Sequence, residues 1–322
     1  MDNKLMITKQ YVVVKQKPRG LKHFFNLLIQ QRALVLMSVP FVIWLFIFKY
    51  LPIWGWTIAF QDYKPALGFW EQEWVGFEHF KFLFSNERFL LVLRNTIVMS
   101  LINLVLGFTT AITLALLLNE LRNLTFKRVV QTISYMPHFL SWVVAAGIIQ
   151  TILATDGIIN ELLMHLGLIE EEILFLGKGE WFWAIYGASI VWKDVGWNSI
   201  VYLAAIAMID PGLYEAAEID GAGRFRKMWH ITLPGIRPVV VVLLIMNIGY
   251  LLESGFEPQY LLGNGMNMNY SENLDIFVLN YGMKQYNYSL SVAASIFKTV
   301  VSFILLFAAN NIAKRLGEVR LY

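Results

Sequence analysis

Six stretches of this chain are apolar for about as long as a helix must be to cross a bilayer, and the charged residues collect between them. They run over residues 34–60, 89–118, 130–154, 182–208, 236–255 and 288–313. The pattern predicts an all-α membrane protein with six transmembrane helices. The first stretch is long and interrupted at Pro52 and Gly55, so its far end is expected to kink or to continue along the interface. The stretch 61–88 departs from a plain connection, because Tyr63, Phe69, Trp70, Trp74, Phe77, Phe80, Phe82 and Phe84 crowd into it. Short helices at the membrane interface fit that composition, either as an aromatic belt or as a docking surface for a soluble partner. In domain terms, residues 1–33 form a basic N-terminal segment, 34–314 the six-helix domain and 315–322 a short tail.

Composition agrees with a lipid-solvated chain: of 322 residues 57% are hydrophobic and only 15% charged, too apolar a balance for a soluble domain. Cysteine is absent, which removes disulfides, thiolate metal sites and cysteine nucleophiles together. His23, His79, His138, His165 and His230 are scattered without ligand spacing, so no metal site is expected. The net charge of +3 resolves into a sided pattern rather than a nucleic-acid surface. With the N-terminus inside, the inner segments carry Lys4, Lys9, Lys15, Lys17, Arg19, Lys22 and Arg32, then Arg122, Lys127 and Arg128, then Arg224, Arg226, Lys227 and Arg237, then Lys314, Arg315 and Arg320. The outer segments carry fewer: Lys49, Lys64, Lys81, Arg88, Lys178 and Lys284. That asymmetry places both termini in the cytoplasm. The polar start is too long for the n-region of a cleaved signal peptide, and the first apolar stretch is a full span, so no cleavage is expected.

One inner loop is punctuated at both ends. Asp210 is a good N-cap, Pro211 suits the first helical position, and Gly221 can take the left-handed conformation that closes a helix. Between them Leu213, Ala216, Ala217 and Asp220 share one face, and Glu215, Glu218 and Ile219 another. Phe225, Met228, Trp229 and Thr232 then recur at helical spacing beside Arg224, Arg226 and Lys227, which suits a helix in the headgroups before Pro234 starts the next span.

In this loop Glu215-Ala216-Ala217, Gly221, Ile231 and Leu233-Pro234 stand at the spacing of the EAA motif, and the chain resembles the permease subunits of ABC importers. Arg94-Asn95-Thr96, the run from Phe126 to Trp142, and Trp192-Lys193-Asp194-Val195-Gly196-Trp197-Asn198 are similar to the branch that imports oligosaccharides and polysaccharide fragments. Within that branch the likeness is to a permease of a bacterial alginate importer. It spans about residues 34–316, with a permease core at about 89–314 and a coupling loop at 209–235. The resemblance implies a maltose-permease-like fold in the bacterial inner membrane. It also implies a second, homologous permease in a heterodimer, a cytoplasmic ATPase dimer and an extracytoplasmic solute-binding protein. Tyr214, Glu215, Ala216, Ala217, Asp220, Gly221, Leu233 and Pro234 would then couple to the ATPase. Glu215 would pair with a basic residue there, and the two alanines would pack in its cleft. This chain has no cofactor of its own. It lacks a phosphate-binding loop, Gly177-Lys178 being followed by Gly179, so ATP and Mg would sit on the ATPase.

Ionisable residues within spans are costly and by default face a cavity or a partner. Lys193 and Asp194 in the fourth stretch, Glu253 in the fifth and Lys298 in the sixth are such residues, as is Arg94 near one end of the second. Trp192, Trp197, Asn198 and Tyr202 share the fourth stretch, and aromatic faces beside amides are what sugar rings bind. Asn247 and Tyr250 complete the expected substrate path, along which Lys193 and Lys298 would offer cations to an acidic polymer. Packing and contacts to the other subunit are the alternative role for the ten besides Arg94. A membrane enzyme has no support, because no nucleophile elbow, zinc motif or acid and base pair is present. A gradient-driven transporter would show inverted repeats, which are absent.

Overall fold

The computed structural model describes residues 30–253 and 255–315, and the expectations placed on the chain before residue 30 and after 315 lie outside them. The chain divides into two units, Met1–Trp56 and Thr57–Tyr322. The helix of the first unit, α1, begins at Arg32 and keeps α geometry to Leu45 with no residue buried. A π turn over Phe46–Tyr50 follows, and then a 3-10 run over Leu51–Phe60. The expected break at Pro52 is therefore a change of helix type. Proline has no N–H and its ring crowds the carbonyl four residues back, which here is that of Phe48, inside the wider π turn.

In the second unit β1 (Gln61–Asp62) pairs antiparallel with β2 (Glu73–Trp74). Aromatic spacing alone predicts only helices there. The hairpin follows instead from Gln72, whose buried amide accepts from Lys64 N at 2.8 Å and donates to the carbonyls of Lys64 and Leu67 at 3.0 and 2.9 Å. Beyond the hairpin and short turns come α2 (Glu78–Ser85), α3 (Glu87–Glu120), α4 (Leu124–Tyr135), a 3-10 turn (Met136–Phe139), α5 (Trp142–Ile152), α6 (Ile158–His165), α7 (Gly179–Ala207) and α8 (Pro211–Ile219). After these come α9 (Arg224–Gly249), α10 (Glu257–Leu262), α11 (Met268–Ser271), α12 (Leu274–Leu279) and α13 (Tyr288–Arg315).

Among the described residues four helices, α1, α3, α9 and α13, are each long and apolar enough to cross a membrane, and two bent pairs bring the number to six. The bent pairs are α7 with α8, at 71°, and α4 with its 3-10 turn against α5, at 105°. The second pair corrects the third expected span, which is two short helices around a corner. Pro137 opens the turn without a donor, Leu140 is extended, and Ser141 caps α5 by accepting from Val144 N at 3.3 Å. The apolar run continues through the corner, so hydropathy passes over it.

The fifth span is also corrected. It begins at Arg224 rather than Pro234, and what reads as a separate headgroup helix is its first turns. A π turn over Met228–Thr232 precedes Pro234 and carries the helix past it. The helix ends at Gly249, so Tyr250 and Glu253 lie beyond its C-terminus.

Small residues let the long helices approach closely. Ala111 and Ala115 of α3 meet Tyr202, Ala205 and Ile206 of α7, with Ile236 of α9, in one buried cluster. Ile245 of α9 packs on Ala309 and Ala313 of α13 in another. At the opposite end Phe89, Val92, Leu274, Phe277, Leu290 and Ala293 form a third. There the chain between α9 and α13 is pinned by the triplet on α3. Arg94 donates to Asn269 O at 2.8 Å, Asn95 to Asn269 O at 3.0 Å and to Glu272 O at 3.1 Å, and Thr96 Oγ1 accepts from Leu274 N at 2.9 Å. Arg88 adds a bidentate contact to buried Glu272 at 2.9 and 2.7 Å.

Candidate functional site

Helix α8 forms where its ends are chemically fixed. Asp210 Oδ1 accepts from Gly212 N at 2.9 Å with Pro211 in the first turn. At the other end Gly221 has φ +75°, Ala222 N donates to Ala217 O at 2.8 Å and Gly221 N to Glu218 O at 3.0 Å. That pair of bonds is a Schellman closure, and it needs the left-handed residue that glycine supplies. No residue of α8 is buried, and Leu213 and Ile219 are 53% and 87% exposed. Glu215 and Ala216 are exposed, and Tyr214 and Ala217 half-buried. Asp220 is the C-cap. Leu233 packs against the small-residue cluster of α3, α7 and α9, while Pro234 lies in α9.

Two side-chain contacts tie α8 to α9. Tyr214 Oη lies 3.0 Å from Thr232 Oγ1, which is buried, and Lys227 Nζ reaches Glu218 Oε1 at 2.5 Å. The hydrogen bond from Lys227, with its charge, holds the Glu218 carboxyl below the ordinary value of 4.5.

The expected path residues sort into those that line cavities and those that do not. Trp197, Asn198, Tyr202 and Asn247 line a cavity of about 170 Å³ with Asn103 and Phe108 of α3. Asn103 and Asn247 also line a smaller one of about 70 Å³, together with Tyr250 and Glu253. Tyr250 and Glu253 continue into a third of about 460 Å³, which holds Asp275, Ser295, Lys298 and Thr299. Shared lining residues thus join the three into one run along α3, α7, α9 and α13, and seven of the ten expected residues are on it. Trp192 is not. It faces an apolar cavity of about 320 Å³ with Ile148, Ile152 and Ile185.

Lys193 and Asp194 are corrected. Lys193 is 5% exposed and donates to His138 O and Leu140 O, both at 2.9 Å, with its Nζ 5.4 Å from the Trp142 ring centroid. It closes the corner between α4 and α5, whose last carbonyls have no helical partner. Asp194 Oδ1 is 2.8 Å from His138 Nδ1, and the His138 ring stacks on Trp197 at 4.5 Å between centroids and 5° between planes. Lys298 does reach a cavity, but its Nζ is 2.6 Å from Asp275 Oδ1. Arg94 is committed to the chain between α9 and α13, its guanidinium also lying 5.4 and 5.3 Å from the ring centroids of Trp183 and Tyr270. Sequence reasoning passed over Asn103 and His138. An amide one turn before Gly107 in the apolar run from Leu101 to Phe108, and a histidine beside a proline within a span, were the signals available.

A helical membrane domain with an exposed, doubly capped loop helix on a long helix that runs to a polar cavity has the parts that a transport permease needs. Residues 84–318 match the family described as binding-protein-dependent transport system inner membrane component, and the chain belongs to that family. YteP of Bacillus subtilis (strain 168), a polygalacturonan/rhamnogalacturonan transport system permease protein, is 48% identical over 311 residues, 97% of this chain and 96% of YteP. Protein LplB of the same organism is 46% identical over 293 residues, 91% of this chain and 92% of LplB. Among solved structures, a bacterial ABC transporter involved in the import of the acidic polysaccharide alginate superimposes with TM-score 0.85 at 37% identity, over 91% of this chain and 99% of that one. A bacterial alginate ABC transporter in complex with alginate pentasaccharide-bound periplasmic protein gives TM-score 0.85 at 36% identity, over 93% of this chain and 100% of that one. The resemblance to ABC importer permeases, including their sugar branch, is borne out, and the chain is a transporter subunit rather than an enzyme.

Proposed function

We propose that this permease forms half of the translocation path of an ATP-driven, binding-protein-dependent importer in the bacterial inner membrane, carrying oligosaccharide fragments of acidic polysaccharides. The observation that carries the reading is α8, a helix capped at both ends yet with no residue buried. A nine-residue helix is marginal alone, and an apolar exposed face on it fits a partner cleft. In this reading the partner is a cytoplasmic ATPase dimer that holds the ATP and Mg, and both termini of this chain lie on the same side. Closure of the ATPases on ATP moves α8, and α8 moves α9. The cavity run then opens outward to receive substrate from a solute-binding protein docked on the opposite face. A second, homologous permease supplies the other wall.

The relatives support the substrate class. Polygalacturonan and alginate are both polymers of uronic acids, so an acidic oligosaccharide is common to them. This wall meets the rings and hydroxyls of such a substrate with Trp197, Asn198, Asn103 and Asn247. It meets the carboxylates poorly, since Lys193 is buried in carbonyls and Lys298 pairs with Asp275. The counter-charge therefore falls to the second permease. Uptake by the reconstituted transporter, with its ATPase and binding protein, should favour short oligogalacturonates over neutral maltooligosaccharides. Glu215→Lys should abolish that uptake while the membrane domain stays folded, and normal uptake by this variant sinks the coupling role of α8.

A further inference from the structure

The geometry points to His138 and Asp194 as positioning residues that hold Trp197 as the stacking platform for a pyranose ring in the cavity run. The inference rests on the saccharide reading above and goes beyond it to name what sets the platform. Asp194 and Trp197 are three residues apart on α7 and so share a face. His138, in the 3-10 turn before the corner, contacts both. Its Nδ1 is 2.8 Å from Asp194 Oδ1, and its ring lies parallel to the indole at 4.5 Å. Phe139 abuts the same indole edge-on at 5.7 Å between centroids. The indole is thereby held on one face and one edge.

What remains uncovered of Trp197 is large: the side chain is 43% exposed and lines the cavity with Asn198, Asn103 and Asn247. An apolar indole face open to a cavity, flanked by three amides, matches a sugar ring. Axial C–H groups lie on the indole, and hydroxyls at the ring edge reach the amides, which offer donors and acceptors together. A freely rotating indole would lose that alignment, and preorganisation is what the stack on His138 contributes.

The His138 backbone is itself fixed. Lys193 donates to its carbonyl and to that of Leu140 at 2.9 Å. These two, Lys193 and Asp194, are the charged groups that face His138 from α7; Trp197 is the uncharged third. Lys193 is committed to the two carbonyls and Asp194 to the His138 ring, and both act through Trp197.

The test is a titration of the assembled transporter in nanodiscs with trigalacturonate, read by tryptophan fluorescence, alongside uptake in proteoliposomes. Trp197→Phe should remove the saccharide-dependent fluorescence change. Asp194→Asn and His138→Ala should each weaken binding about three- to tenfold, the range expected for loss of one aromatic stack. They should also raise the half-saturating concentration for uptake more than they lower its maximal rate. A merely structural role would instead lower the amount of assembled complex and the maximal rate together. Should Asp194→Asn fail to assemble, His138→Gln, which keeps a donor but no ring, is expected to show the same split. Wild-type binding by Asp194→Asn and His138→Gln, or an unchanged fluorescence response in Trp197→Phe, overturns the platform while leaving the saccharide reading in place. A wild type that takes up no oligogalacturonate or maltooligosaccharide although it hydrolyses ATP overturns both.

Discussion

Replacing Lys193 with methionine separates two roles that the sequence leaves equivalent. Methionine keeps the unbranched stem and its packing but removes the donor shared by His138 O and Leu140 O. Each buried carbonyl left without a donor costs about 1–3 kcal/mol, and losing the contact over the Trp142 ring adds about 0.5–2 kcal/mol. The ammonium no longer has to be desolvated, which returns part of this, so a net cost of about 2–4 kcal/mol is expected, concentrated at the corner between α4 and α5. The chain has no cysteine, so Ala145→Cys places a unique thiol at a fully buried position on α5, just past the corner. In the Lys193→Met background, maleimide should label that thiol on the order of 30-fold faster or more, since each 1.4 kcal/mol shifts the open fraction tenfold. If labelling and melting temperature match wild type while saccharide uptake falls, Lys193 meets substrate and the corner argument is wrong.

Three further outcomes follow from the geometry. Gly196→Ala should lower the melting temperature and yield of folded permease, at roughly 2–4 kcal/mol, because its Cβ would come 2.1 Å from Ser134 O on the adjoining α4 backbone. Gly221→Ala forces an L-residue into φ +75° at about 1 kcal/mol; co-purification of the ATPase should fall several-fold while melting of the membrane domain is unchanged. Because Glu218 titrates below its ordinary 4.5, its tie to Lys227 is fully present above that value and is lost as pH falls through the lowered one. Hydrogen exchange in α8 should then be flat with pH, after correction for intrinsic exchange, down to about 4.5 and accelerate below it; a Glu218→Gln variant should show no such acceleration.

The class of fold and the capped loop helix were legible because they are local. The N-cap at Asp210 and the closure at Gly221 are properties of neighbouring residues, and each appears where the pattern puts it. The corner at Leu140 was not, because hydropathy counts apolar residues without asking which way the backbone turns. The cue was Pro137 followed four residues later by a capping Ser141. The partners of Lys193 and Lys298 were hidden for a different reason. An intramembrane charge shows that a partner exists, but the partners are 55, 53 and 23 residues away in sequence, beyond any local pattern. Trp197, Asn198 and Tyr202 fall on the cavity run together because α7 presents all three to one hollow. Asn103, on another helix, was missed.

The contact between Tyr214 and Thr232 fixes one point on a rod. From Thr232 to Gly249 is 17 residues, or about 26 Å of helix at 1.5 Å per residue. Pro234 and Pro238 are the prolines of that helix, both within its first turns past the fixed point, and the run beyond them has an unbroken ladder. A tilt of about 10° at the fixed point would sweep the far end, beside Asn247, by about 4–5 Å, close to the width of a sugar ring. In the proposed mechanism, the gearing between a small displacement at α8 and a passage wide enough for a saccharide is set by where one tyrosine hydroxyl grips the helix.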